Sequence, residues 1–185
     1  MTWRQTPLDP EHFEEWCALE QQAMERLRRG CIPSGSGLQR KIQLLVLPSF
    51  TEASSWEICQ ETFENAEYVA IHSIWHRKAD IAKLESPVVR LRHPRPLVPT
   101  IEARRWSLET AWVDARRKEL TAFTIPAIVD SRGIGLDGTS YEVAFDAGLA
   151  QARYRWWHEP PSEWRALHLW LQQTLEALEK VATRE

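Results

Sequence analysis

The sequence has no long apolar run and little cysteine. Its longest nearly unbroken apolar stretch, 42–47, is far too short to span a membrane, and its first residues lack the apolar core of a signal peptide. Only three cysteines occur, Cys17, Cys31 and Cys59, and their spacings match no metal or redox pattern. We therefore expect free thiols in a soluble, cytoplasmic protein that contacts no membrane.

The sequence also lacks a strong charge imbalance and the common catalytic and cofactor motifs. Its net charge is −3, from 23 basic and 26 acidic side chains, which is too balanced to indicate general binding to nucleic acid or membranes. Neither a phosphate-binding glycine loop nor a Gly-x-Ser-x-Gly motif occurs, so we expect no cofactor. His72 and His76 lie on a predicted strand about 13 Å apart, too far to share one ion, so no metal is expected either.

What the chain does have is size and aromatic bulk. It has 185 residues, 43% of them apolar, and ten are tryptophan. This composition predicts a single globular domain, 1–185, with a substantial core. The segment Ser55-Trp56-Glu57-Ile58 is similar in type to Ser140-Tyr141-Glu142-Val143, which leaves open two similar halves, about 1–99 and 100–185.

Apolar spacing predicts three long helices. The first begins at Asp9-Pro10 and ends before Gly30, the second spans 107–122, and the third begins at a Ser162 cap. Residues of the first that share its apolar face are Phe13, Trp16, Cys17, Met24 and Leu27, and those of the third are Trp164, Leu167, Leu171, Leu175 and Leu178.

Alternation and turn signals predict strands at 41–48, 56–61 and 67–77, and a hairpin after Asp137-Gly138. Residues 79–84 fit one helical turn, and the proline-rich 87–99 an extended connector. The predicted fold class is α+β, an antiparallel sheet built from hairpins with two or three long helices packed on one face.

The aromatic pair Trp156-Trp157 marks the candidate binding surface. Adjacent strand residues point to opposite sides, so if Trp156 joins the core, Trp157 lies on the outer face or against another element. Trp170 falls off the leucine stripe of the last helix, and exposed aromatics beside arginines are typical of protein contacts. The predicted binding residues are therefore Trp157, His158, Arg155, Arg165 and Trp170.

Two other functions stay open. Asp137, Glu142 and His158 near one hairpin end are acid–base candidates for an enzyme of unrecognised type. A nucleic-acid or regulatory module would use the arginine-rich middle region from Arg90 to Lys118, although neighbouring glutamates argue against nucleic acid.

The C-terminal half carries a resemblance. Leu136-Asp-Gly-Thr-Ser-Tyr-Glu-Val143, then Arg153-Tyr-Arg-Trp-Trp157, Pro160-Pro161 and Trp164, resemble a pattern in small uncharacterised bacterial proteins. Some proteins of this kind act as immunity or accessory proteins beside toxins. The resemblance implies a non-catalytic module that binds another protein, such as a toxin, and it assigns no catalytic residue.

Overall fold

One antiparallel sheet of six strands organises the chain. The computed structural model describes residues 10–33, 35–62, 67–86, 88, 97–129, 137–146 and 150–183, and within them four α-helices pack against this sheet. The elements, in chain order, are α1 (Pro10–Arg29), β1 (Leu38–Pro48), β2 (Ala53–Glu61), β3 (Tyr68–Trp75), α2 (Arg77–Glu85), β4 (Ile101–Leu108), α3 (Thr110–Ala122), β5 (Thr139–Asp146), β6 (Gln151–Trp157), a 3₁₀ turn (Ser162–Trp164) and α4 (Arg165–Ala182).

The strand order is β4-β3-β2-β1-β5-β6, and every neighbouring pair is antiparallel. This confirms the predicted α+β class. β1 is central and pairs with β2 on one side and with β5 on the other, so strands from both parts of the chain share one sheet. The two similar sequence segments lie on β2 and β5, which flank β1 in the same orientation.

Helices cover both faces of the sheet, whereas the sequence predicted one covered face. On one face, Leu45 and Leu47 of β1 belong to a core with residues of α1 and α2. On the other, Ile42 and Leu44 belong to a larger core with residues of α3 and α4. Because alternate residues of β1 enter different cores, the strand is buried continuously over 42–45.

The apolar face of α1 differs from the predicted one. Its buried stripe is Trp16, Leu19, Ala23 and Leu27, at helical spacing. Phe13, at 57% exposure, and Cys17 point to solvent, so both predictions were wrong. The helix ends where expected, because Gly30 has a φ of +90° that favours glycine, whereas the predicted cap Asp9 lies outside the described residues.

The predicted helix 107–122 begins later than expected. Residues up to Leu108 form β4, which is an edge strand of the described sheet and pairs there only with β3, and α3 starts at Thr110. The middle of β4 is charged and exposed, as edge strands often are, and this conceals the alternation by which a strand is recognised. The predicted helical turn is longer, α2, and of the connector 87–99 only residues 88 and 97–99 are described.

The last helix keeps its predicted leucine face, with Leu167, Leu171 and Leu178 fully buried. Its start differs, because Ser162 lies inside the 3₁₀ turn rather than capping the helix. The Ser162 hydroxyl donates to the Glu163 carboxylate instead of accepting a backbone N–H. A proline at 161 and the tight turn thus begin this helix without the predicted cap.

A buried polar layer fixes the end of α1 to the sheet. A bulge between Arg40 and Ile42 turns the Arg40 side chain toward this helix, where it donates to the Arg29 carbonyl (3.0 Å) and the Glu57 carboxylate (3.3 Å). Glu57 also accepts the Cys31 N–H at 2.9 Å. Burial raises the pKa of Glu57, although the Cys31 N–H and the Arg40 guanidinium both act in the opposite direction.

Candidate functional site

An open groove lies between α4 and the adjoining part of the sheet. We call it the acidic groove, and its volume is about 530 Å³. Its residues come from β1, β2, β3, β5, α4 and the turn between β1 and β2. They are Val46, Glu52, Ser54, Trp56, His72, Ile74, Tyr141, Gln172, Leu175, Glu176 and Glu179.

The floor of the groove is a stack of flat rings. His72 lies parallel to Trp56, with ring centroids 4.0 Å apart and an interplanar angle of 5°, because β2 and β3 place the two residues directly opposite each other. Trp106 is tilted against both rings, with centroids 5.6 Å from Trp56 and 6.5 Å from His72. Burial, together with the nearby Arg104 guanidinium, lowers the pKa of His72 to about 4. The imidazole is therefore neutral near pH 7.

The rim of the groove is acidic. Glu176 and Glu179 lie three residues apart on the exposed side of α4, and neither side chain has a cationic partner within the described part of the chain. Glu52 faces them from the β1–β2 turn, with its carboxylate 3.5 Å from Nδ1 of His76. The other ring nitrogen of His76 lies 3.1 Å from Glu102, which also pairs with Arg104 at 2.6 Å.

Comparison with known proteins found no relative. No family model, curated protein or solved structure matches the chain. The side chains of the groove and of the predicted surface are therefore the basis for assigning a function.

The predicted surface at the end of β6 is only partly formed. Trp156 enters the core, where its Nε1 donates to Nδ1 of His168, and Trp157 therefore lies on the opposite face. Trp157 is half-buried against Gly138, and its Nε1 has no hydrogen-bond partner among the described residues. Arg155 is exposed and donates to the Ser140 hydroxyl.

Trp170 is not a surface residue. It is 3% exposed and packs in the core beneath α4, beside Leu171, so the prediction that it lies on the surface was wrong. The physical reason is that α4 buries a wider stripe than its leucines alone define. Arg165 is exposed in the first turn of α4, and His158 is exposed just after β6 with a φ of 51°.

The three acid–base candidates do not converge on one point. Glu142 is 1% exposed on β5, and its carboxylate is paired with Arg28 at 3.3 Å and Arg153 at 3.0 Å. Asp137 and His158 are exposed beyond the ends of β5 and β6. Because Glu142 is three residues inside β5, roughly 10 Å separates it from that end of the hairpin.

The arginine-rich middle region does not form one basic face. Arg104 and Arg105 are adjacent on β4 and so point to opposite sides, and they pair with Glu102 and Glu61 at 2.6 Å. Arg116 pairs with Glu119 on α3. These ion pairs weaken the nucleic-acid alternative, and residues 89–96 of this region lie outside the described residues.

Metal ligands do not cluster in the described ranges, which contain no group of three or more histidine, cysteine or acidic side chains that could hold an ion. None of the helices in those ranges is long and apolar enough to cross a membrane. Cys17, Cys31 and Cys59 are all free thiols.

Sequence reasoning missed the acidic groove. Glu52 lies in a polar turn, and Glu176 and Glu179 lie on the polar side of a helix, where acidic residues are common. The only available signal was the i, i+3 spacing of the two helix residues. Nothing in the sequence placed the turn beside this helix.

Proposed function

We propose that the protein is a non-catalytic protein-binding module, and that the acidic groove is the centre of its contact surface. One observation carries the proposal: an open, partly apolar groove is bordered by two carboxylates, Glu176 and Glu179, that form no ion pair in the described part of the chain. Glu176 and Glu179 contribute no side-chain hydrogen bond or ion pair to the described structure. Unpaired charges beside a concave apolar surface are typical of a site that is completed by a partner.

Two exposed apolar side chains lie on the same elements as the glutamates of the groove. Leu169 is 51% exposed and precedes Gln172 by three residues, so the two share one side of α4. Phe50 is 55% exposed in the β1–β2 turn, two residues before Glu52. An apolar centre with a charged margin is the usual composition of a protein interface, which buries about 800 Å² on each partner.

A toxin is the partner class that we propose. The resemblance of the C-terminal half to small bacterial proteins that act beside toxins supports it, and an immunity protein acts by covering its toxin rather than by chemistry. The dispersal of Asp137, Glu142 and His158 supports a non-catalytic role. No observation in the described residues favours the enzyme alternative.

Affinity capture followed by calorimetry tests the proposal. The tagged protein is used as bait in lysate of its own organism, beside the variants Glu176→Arg/Glu179→Arg and Glu14→Arg/Glu25→Arg. The second variant makes the same charge change on the exposed side of α1, across the sheet from the groove. Captured proteins are purified and titrated against all three baits.

We expect the wild type and the α1 variant to bind the same protein with equal affinity. The groove variant should bind it at least ten-fold more weakly, which is a loss of about 1.4 kcal/mol. If the wild type retains no stoichiometric partner, the protein-binding function is wrong. If the groove variant binds as tightly as the wild type, the contact surface is elsewhere.

A further inference from the structure

We infer that the acidic groove accepts an arginine side chain of the partner protein, held between Glu52, Glu176 and Glu179. The inference rests on the proposed function and specifies what the partner must present. It depends on three properties of the groove, which are its charge, its floor and the spacing of its carboxylates.

The charge of the groove selects a cation. Glu52, Glu176 and Glu179 line the groove. On the neighbouring β4, Glu102 and Arg104 lie opposite Ile74 and His72, and they pair with each other at 2.6 Å. His76 lies between Glu52 and Glu102 and leaves the two glutamates of α4 unpaired. A positively charged group placed here would neutralise carboxylates that otherwise repel one another.

The floor suits a long side chain with a flat end. Val46, Ile74 and Leu175 are half-buried apolar residues that can pack against the methylene stem of an arginine. His72 contributes a neutral ring at the base of the groove, so it does not repel a cation. A planar guanidinium is weakly hydrated and stacks on flat rings, whereas the ammonium of lysine is compact and strongly hydrated.

The spacing of the carboxylates favours arginine over lysine for a second reason. Residues three apart on a helix have Cβ atoms about 5–6 Å apart, so Glu176 and Glu179 can approach one guanidinium from the same side. Glu52 approaches it from the β1–β2 turn. Arginine presents five N–H donors in a rigid plane and can bond several carboxylates at once.

Peptide titrations test the inference. Acetylated hexa-arginine, hexa-lysine and hexa-citrulline amides are added to the full chain while the imidazole signals of His72 and the backbone amides of α4 are followed by NMR. Citrulline keeps the shape of arginine without its charge. The titrations are repeated with Glu176→Gln/Glu179→Gln and with the matched control Glu14→Gln/Glu25→Gln, all at exposed helix positions.

We expect hexa-arginine to shift the His72 and α4 signals, with hexa-lysine at least five-fold weaker and hexa-citrulline inactive. The groove variant should bind hexa-arginine at least ten-fold more weakly, and the α1 control should match the wild type. Equal affinity for arginine and lysine, or an unaffected groove variant, would overturn the inference. The outcomes separate the two proposals. If a partner protein binds at the groove but hexa-arginine does not, the arginine site is wrong and the protein-binding function stands. Groove-specific binding of hexa-arginine without any protein partner supports the arginine site and removes the protein-binding function.

Discussion

Gly30 provides the sharpest test of how α1 is attached to the sheet. It ends the helix with a φ of +90°, and its Cα faces the buried carboxyl group of Glu57. A Cβ at this position would lie under 3.0 Å from both oxygens and from Cδ of that carboxyl group. Gly30→Ala therefore forces the Glu57 side chain away from its two partners, the Cys31 N–H and the Arg40 guanidinium.

The expected cost has two parts. An alanine in the left-handed region costs about 1 kcal/mol, and hydrogen bonds to a charged group contribute about 1.5–3 kcal/mol each. If the displaced carboxylate loses most of one such bond, Gly30→Ala lowers the free energy of unfolding by about 3–4 kcal/mol. Gly35→Ala is the matched control, because Gly35 has a φ of +77° and, apart from its chain neighbours, no described atom lies within 4 Å of the point that an alanine Cβ would occupy. It should cost only about 1 kcal/mol.

Urea unfolding followed by tryptophan fluorescence measures both variants. A double-mutant cycle with Glu57→Ala isolates the collision, because without the carboxylate Gly30→Ala should cost no more than Gly35→Ala. If Gly30→Ala and Gly35→Ala are equally destabilising in the wild-type background, the close approach of Glu57 to the helix end is not a constraint. The account of the polar layer would then be wrong.

Three further predictions concern the cores. The free energy of unfolding should fall by about 2 kcal/mol between pH 6.5 and 4, allowing for partial solvent screening, because the pKa of His72 is lowered to about 4 in the folded protein and the unfolded chain therefore binds the proton first. Urea unfolding of His72→Gln should show a smaller fall over this pH range, and an identical fall would contradict the prediction. Trp170→Ala should lower the free energy of unfolding by about 4 kcal/mol and Trp157→Ala by about 1–2 kcal/mol, both measured by urea unfolding. Equal losses would refute the different burial of the two indoles. The Trp75 indole N–H donates to Asp80 at 2.8 Å. Asp80→Ala should therefore lower the free energy of unfolding by about 3 kcal/mol and make this N–H accessible to hydrogen exchange, and unchanged protection of the N–H would contradict the prediction.

Local patterns predicted the elements whose two sides differ clearly. The sequence of β5 alternates apolar with polar or small residues, β6 alternates buried or half-buried with exposed residues over 151–156, and Asp137-Gly138 precedes both strands. Their hairpin was therefore recognisable from sequence. The leucines of α4 likewise marked its buried face. In both cases the spacing of apolar residues in the sequence was sufficient to predict the element, and the structure confirms it.

The remaining elements depend on neighbours that no local pattern reveals. β4 is charged at its centre, as is common for a strand that has one paired edge in the described sheet, and it therefore does not alternate clearly. Trp170 was predicted to be exposed because α4 was expected to bury a leucine stripe alone. To predict that helices cover both faces of the sheet, one must know that β1 is central. That position follows from pairings between segments far apart in the sequence.

The predicted binding residues and the acidic groove lie on different parts of the molecule for the same reason. The predicted surface could be recognised from local sequence, because Arg155, Trp157 and His158 lie within four consecutive residues. The groove joins Glu52 to Glu176, and only the folded sheet brings the β1–β2 turn beside α4. Sites of this kind cannot be found from spacing, because their members are far apart along the chain.

The carboxylates on the two faces of the sheet differ in whether they stabilise the fold. On the α1 face, the buried Glu57 and Glu142 each have an arginine partner, because an unpaired buried charge would destabilise the protein by several kcal/mol. On the other face, Glu176 and Glu179 are solvated and support no other residue. Replacing them should therefore leave the free energy of unfolding within about 0.5 kcal/mol of wild type. A variant that keeps its stability and loses its partner would attribute these carboxylates to binding alone.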